Sequence, residues 1–109
     1  MNTSAEAPLT ASLSVSGDNA IMVKGVLNFE TVPALAKEAE QLFKKMDKIR
    51  VSFAEVKDSN SAGLALLLEM VRTTKLNGQS IGFVELPEQM IIVARAYGLD
   101  SELGDYLTT

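Results

Sequence analysis

Three short polar side chains, Ser59, Asn60 and Ser61, stand directly before the apolar run Ala62-Gly63-Leu64-Ala65-Leu66-Leu67-Leu68. Small oxygen-bearing side chains ahead of such a run mark a helix start, because a side-chain oxygen can accept from the free N–H groups of the first turn. Asn60 and Ser61 both suit that capping role. A strand-like run, Ile49–Ala54, precedes them. The stretch reads as a strand–loop–helix junction with a hydroxyl and open N–H donors at a helix N-terminus. Such a junction can hold an anion, carry a phosphoryl group or dock a partner. The competing reading is purely local: these residues cap a helix and do nothing more.

What is missing narrows the chemistry. The 109 residues include no cysteine, so disulfides, thiol nucleophiles and thiolate metal sites are excluded. They also include no histidine, which removes the commonest general base and the commonest transition-metal ligand. Only a carboxylate site for a hard cation remains, and the acidic residues show no Asp-rich spacing. An enzyme and a cofactor-dependent protein are therefore not expected. The formal net charge of −4, with no basic stripe, argues against nucleic-acid binding. No apolar run approaches the roughly 20 residues that span a bilayer. The start Met1-Asn2-Thr3-Ser4-Ala5-Glu6-Ala7-Pro8 lacks the basic and apolar segments of a signal peptide. A cytoplasmic location is expected.

The elements that must position the junction follow from periodicity. Residues 1–9 read as a flexible tail, and 10–109 as one domain. Ala11, Leu13 and Val15 alternate with serines, the period of a half-buried strand. Ser16-Gly17-Asp18-Asn19 signals a turn, and Ala20–Lys24 a second strand, so an N-terminal hairpin is expected. Pro33 fits a first helical turn. Val32, Leu35, Ala36, Ala39, Leu42, Phe43 and Met46 then recur at helical spacing, with Glu40 and Lys44 placed for an i,i+4 pair. Ile49, Val51 and Phe53 give a third strand. The helix beginning at Asn60 runs to about Leu76, where Asn77-Gly78 stops it. Ser80–Leu86 is a fourth strand. Pro87 starts a helix with Met90, Ile91, Ala94 and Tyr97 on its inner face, ended by Gly98 with Leu99 packed behind it. Asp100–Leu107 adds a short turn or helix. This order predicts an α/β layer fold with a small mixed sheet and helices mainly on one face. The Asp58–Ser61 loop then lies beyond the carboxyl end of a parallel strand, where functional groups gather in such sheets.

A wheel at 100° per residue divides the second helix. Leu64, Leu67, Leu68 and Val71 fall on one side and are expected to face the sheet. Ala62, Leu66, Glu69 and Thr73 fall on the other, with Met70 at its edge. That second side is too apolar for an ordinary solvated face. Two readings are open: Leu66 and Met70 are stray surface apolar residues or touch the neighbouring helix, or this side is a protein-docking patch starting at Ser61.

Two motifs and the order of elements resemble the STAS domain family, shared by sulfate-transporter tails and anti-sigma factor antagonists. Gly25-x-Leu27-Asn28-x-x-Thr31 is similar to the family's Gly-x-Leu-Asp approach to its first helix, with Asn28 where Asp is usual. Asn60-Ser61-Ala62-Gly63-Leu64 is similar to its Asp-Ser/Thr-Ser/Gly-Gly-Leu signature. In the antagonist branch a kinase phosphorylates the serine directly before the signature Gly. Ala62 stands there in this chain, while the hydroxyl one step earlier, Ser61, is kept. Gly63-Leu64-Ala65-Leu66-Leu67-Leu68 and Ala94-Arg95-Ala96-Tyr97-Gly98-Leu99 more closely resemble the MlaB-like STAS subunit of Mla phospholipid ABC transporters of Gram-negative bacteria.

That resemblance implies a non-catalytic subunit at the cytoplasmic face of the inner membrane, bound to the transporter's ATPase subunit. No phosphate-binding loop of the Gly-rich Lys-Ser/Thr type exists here. The implied contact residues are Asn60, Ser61, Ala62, Gly63, Leu66, Glu69, Met70 and Thr73. The antagonist branch implies instead a signalling module with an anti-sigma factor kinase as partner and Ser61 or Ser59 as the phosphorylated residue. A further alternative, a small-ligand or lipid-binding domain, would need a sizeable apolar pocket.

Overall fold

The computed structural model describes residues 10–108, so the expected tail at 1–9 lies outside the described residues. Strands β1 (Ala11–Gly17) and β2 (Ala20–Leu27) form the expected hairpin around Asp18-Asn19. Then follow α1 (Val32–Phe43), β3 (Lys48–Ser59), α2 (Ala62–Leu76), β4 (Ser80–Val84), α3 (Glu88–Ala96) and α4 (Asp100–Leu103). A 3-10 turn, Gly104–Tyr106, leads into a two-residue β5 (Leu107–Thr108). The five strands lie in the order β1-β2-β3-β4-β5, antiparallel in the hairpin and parallel from β2 onward.

Strand alternation places the core. Leu13, Ile21, Val23, Ile49, Val51, Phe53, Ile81 and Phe83 are all buried, and their strand neighbours are exposed or half-buried. One face of the sheet is thus packed under helices, and the described residues of the other are exposed or half-buried. Phe53 and Phe83 meet edge to face, with ring centroids 5.8 Å apart. Phe43, Phe53 and Phe83 are fully buried, each contributing about 2–3 kcal/mol relative to exposure in water.

Several expectations are corrected. The third strand is longer than Ile49–Ala54, because β2 continues beside it. Asp58 and Ser59 pair with Val26 and Leu27, so the expected Asp58–Ser61 loop shrinks to Asn60 and Ser61. Beyond Ser52 the strand pairs with β2 alone, since β4 stops at Val84. Its residues Glu55, Lys57 and Asp58 are therefore exposed, which hides the strand from a search for alternation. Helix α1 ends at Phe43, short of Met46, and its last turn tightens into bonds such as Met46 N to the Phe43 carbonyl, 2.9 Å. Gln79, from just before β4, closes this helix end: its Nε2 donates to the carbonyls of Phe43 (2.6 Å) and Met46 (2.8 Å). Lys44 bonds Gln41 rather than Glu40, so the Glu40–Lys44 pair is not formed. Tyr97 stands 62% exposed at the end of α3 instead of lining its inner face.

The helix stops behave as read. Gly78 and Gly98 both adopt positive φ, and Leu99 N donates back to the Ala94 carbonyl at 2.8 Å.

Candidate functional site

Two loops leave the carboxyl ends of the neighbouring parallel strands β2 and β3, and they touch. Asn60 N donates to the Leu27 carbonyl at 3.1 Å, just beyond the Leu27–Ser59 register pair. The first loop, Asn28–Thr31, is held by its own side chains. The Oδ1 of Asn28 accepts from the backbone N–H of Glu30 (2.8 Å) and Thr31 (2.9 Å). The Thr31 hydroxyl donates to the Val26 carbonyl (2.8 Å) and accepts from Asn28 N (3.0 Å). The Gly25-x-Leu27-Asn28-x-x-Thr31 pattern is thereby accounted for. Gly25 has φ of 100°, and a side chain there would run into the Thr10 carbonyl. Asn28 and Thr31 tie the turn that launches α1.

At the second loop, capping is divided differently from expectation. Asn60 Oδ1 accepts from Ala62 N at 2.8 Å and is the residue whose side chain satisfies the helix start. Ser61 occupies the N-cap position with helical dihedrals, and its side chain makes no capping bond. Its hydroxyl is half-exposed and carries no hydrogen bond within the described residues. The Ser59 hydroxyl is engaged, donating to the Asn60 carbonyl at 2.9 Å. Asp58 Oδ1 accepts from Ser59 N (2.9 Å) and from Gln89 Nε2 (3.2 Å), which ties the start of α3 to this junction.

The outward face of α2 is not the one expected. Leu66 and Met70 are 0% and 2% exposed, inside the core with Ala62, Gly63, Leu64, Leu67, Val71 and Thr74. The reason is lateral packing: α2 lies against α1 on one flank and α3 on the other, as well as over the sheet. Its buried arc therefore spans more than half of the wheel. Ala62 and Gly63 likewise serve the chain's own packing and not a partner's approach. A Cβ on Gly63 would collide with the Ser59 hydroxyl and lie 3.0 Å from Met90 Cε. Leu68, assigned to the sheet side, is 38% exposed instead. The open face of α2 runs from Ser61 through Ala65 and Leu68 to Arg72.

Glu69 and Thr73 lie on the rim of this face, half-buried in a shallow groove beside Ala36, Lys37 and Glu40 of α1. Glu69 is paired with Arg72, Nη2 to Oε1 at 2.6 Å. Hydrogen bonding to Glu69, with its charge, holds the Arg72 guanidinium above its usual pKa; Glu40 across the groove adds to this. Among the described residues, no three acidic side chains gather as a metal site would need, and no helix is long and apolar enough to cross a membrane.

Sequence reasoning missed Ala65, Leu68 and one more residue, Phe29. Phe29 is 69% exposed in the Asn28–Thr31 loop beside Asn60. A signal for it was present: an aromatic ring between Asn28 and Glu30 that joins neither the strand nor the helix period.

No curated protein matches this chain. Among solved structures, the unphosphorylated form of the anti-sigma factor antagonist SpoIIAA superposes with a TM-score of 0.68 at 16% identity, covering 90% of this chain and 85% of that one. The phosphorylated form of SpoIIAA, a Bacillus cell fate determinant, gives 0.64 at 16% identity, covering 90% and 88%. At that identity the likeness speaks for the fold. A family model described as "Mlab, STAS domain" matches residues 11–108, every element from β1 to β5, and the chain belongs to the STAS domain family.

Proposed function

We propose that this protein is a non-catalytic accessory or regulatory subunit of an Mla-type phospholipid ABC transporter. It docks the cytoplasmic ATPase subunit through the first turns of α2, and so works at the cytoplasmic face of the inner membrane. One observation supports the reading: in a chain matched by an MlaB-type model, Ser61 is half-exposed at the start of α2 and its hydroxyl has no hydrogen-bond partner among the described residues. A hydroxyl that does not cap its own helix is available to a partner. Asn60, Ser61, Ala65 and Leu68 form the contact line, with Glu69, Arg72 and Thr73 at its rim. The buried Ala62, Gly63, Leu66 and Met70 support it from inside. Without histidine or cysteine, the domain contributes shape and hydrogen bonds to the ATPase and no bond-breaking groups.

The test is co-purification of the ATPase subunit with Ser61→Asp and Leu68→Asp. Each places a charge where the interface excludes water, and both are expected to lose the ATPase. ATPase recovered at wild-type yield from both folded variants overturns the site.

A second reading, a signalling module of the antagonist type, is favoured by the state of the two hydroxyls. Ser61 is free to accept a phosphoryl group while Ser59 is engaged. An intact mass from cells carrying one added phosphoryl group, mapped to Ser61, selects this reading over the first.

A further inference from the structure

We infer that Phe29 is the aromatic anchor of the docking surface, inserting into an apolar pocket on the ATPase subunit beside the Ser61 contact. This rests on the docking reading above and adds to it a residue from a different element. Among the described residues, six large apolar side chains are exposed: Val15, Phe29, Leu68, Leu76, Ile92 and Tyr97. Of these, only Phe29 stands on a loop at the carboxyl ends of the parallel strands, the end that carries Ser61.

Its backbone is pinned on both sides. The Asn28 carboxamide holds the amides of Glu30 and Thr31, and the Thr31 hydroxyl holds Asn28 and Val26. The loop joins the β3–α2 loop through the bond from Asn60 to Leu27. A fixed backbone under a free ring is the arrangement that lowers the ordering cost of binding, since the partner needs to immobilise only the ring. Aromatic side chains so placed are the ones that dominate interfaces.

The flanking charge says what the pocket looks like. Glu30, Asp58 and Glu88 are exposed at this end, against one exposed base, Lys57, so acid prevails. They disfavour an anionic lipid surface and suit an apolar pocket with basic groups at its rim.

The experiment titrates the full-length chain against the purified ATPase subunit of the same organism's phospholipid transporter. It compares wild type with Phe29→Ala, Ser61→Asp and Tyr97→Ala. Phe29→Ala is expected to weaken binding about 30-fold or more with an unchanged melting temperature, while Tyr97→Ala binds as wild type. A Phe29→Ala affinity within about threefold of wild type overturns the anchor; if Ser61→Asp abolishes binding in the same series, the docking reading survives without it. Loss in Phe29→Ala with normal binding by Ser61→Asp keeps the anchor and moves the centre of the surface to the β2–α1 loop. A wild-type chain that does not bind the ATPase overturns both.

Discussion

Replacing Gly63 by Ala tests how tightly α2 is seated on the end of β3. In an exposed helix the change would stabilise the protein by about 1 kcal/mol through helix propensity. Here the new methyl would meet the Ser59 hydroxyl, with Met90 Cε at 3.0 Å. Met90 ends in a flexible thioether and can give way. Ser59 can give way only by rotating its hydroxyl off the Asn60 carbonyl, a 2.9 Å bond worth about 1 kcal/mol. Residual overpacking adds about 1–3 kcal/mol. Setting the propensity gain against these losses leaves Gly63→Ala destabilising by about 1–3 kcal/mol.

The double substitution makes the argument sharper. In a Ser59→Ala background the colliding oxygen is gone, and the Ser59 Cβ at 3.4 Å is an ordinary contact. There Gly63→Ala is expected to be neutral or stabilising. Urea denaturation of the four proteins, followed by circular dichroism, gives the cycle. If Gly63→Ala stabilises the wild-type background, or costs the same in both backgrounds, the close seating of α2 on Ser59 is wrong.

Other outcomes follow from the same geometry. Leu66→Ala is expected to cost about 2–5 kcal/mol in urea unfolding, because it empties a fully buried site, whereas Leu68→Ala costs less than about 1 kcal/mol. Asn60→Ala loses the bond to Ala62 N and is expected to cost about 1 kcal/mol; Ser61→Ala, whose hydroxyl bonds nothing, costs less than about 0.5 kcal/mol. Equal costs for the two would contradict the division of roles at the helix start. Thr31→Val keeps the side-chain shape but removes the bonds to Val26 and Asn28. It is expected to cost about 1–3 kcal/mol and to speed hydrogen exchange at the Asn28 amide.

Much of this fold was readable from local pattern. The hairpin was marked by Leu13, Ile21 and Val23 alternating around a Gly-Asp-Asn turn, and Gly78 and Gly98 stopped their helices where read. The misses share a cause: each depends on which neighbour lies alongside, and a single chain's periodicity does not carry that. Leu66 and Met70 looked outward because one helix on a sheet buries one side, whereas α2 is flanked by α1 and α3. Glu55, Lys57 and Asp58 did not look like a strand because β3 there has β2 on only one edge. β5 is two residues long, below the length at which alternation exists. At the candidate site, the position of Ser61 was legible, but not that Asn60 alone would satisfy the helix start and leave the serine unbonded.

The grip of Gln79 on Phe43 and Met46 has a consequence for synthesis. The carbonyls of Phe43, which ends the first helix, and of Met46, in the turn after it, wait for a side chain 36 and 33 positions further along. A nascent chain that has emerged only through the second helix thus holds a loose joint at the foot of the first. The amino-terminal half should lock only once the fourth strand leaves the ribosome, so the domain is expected to mature late and as one piece.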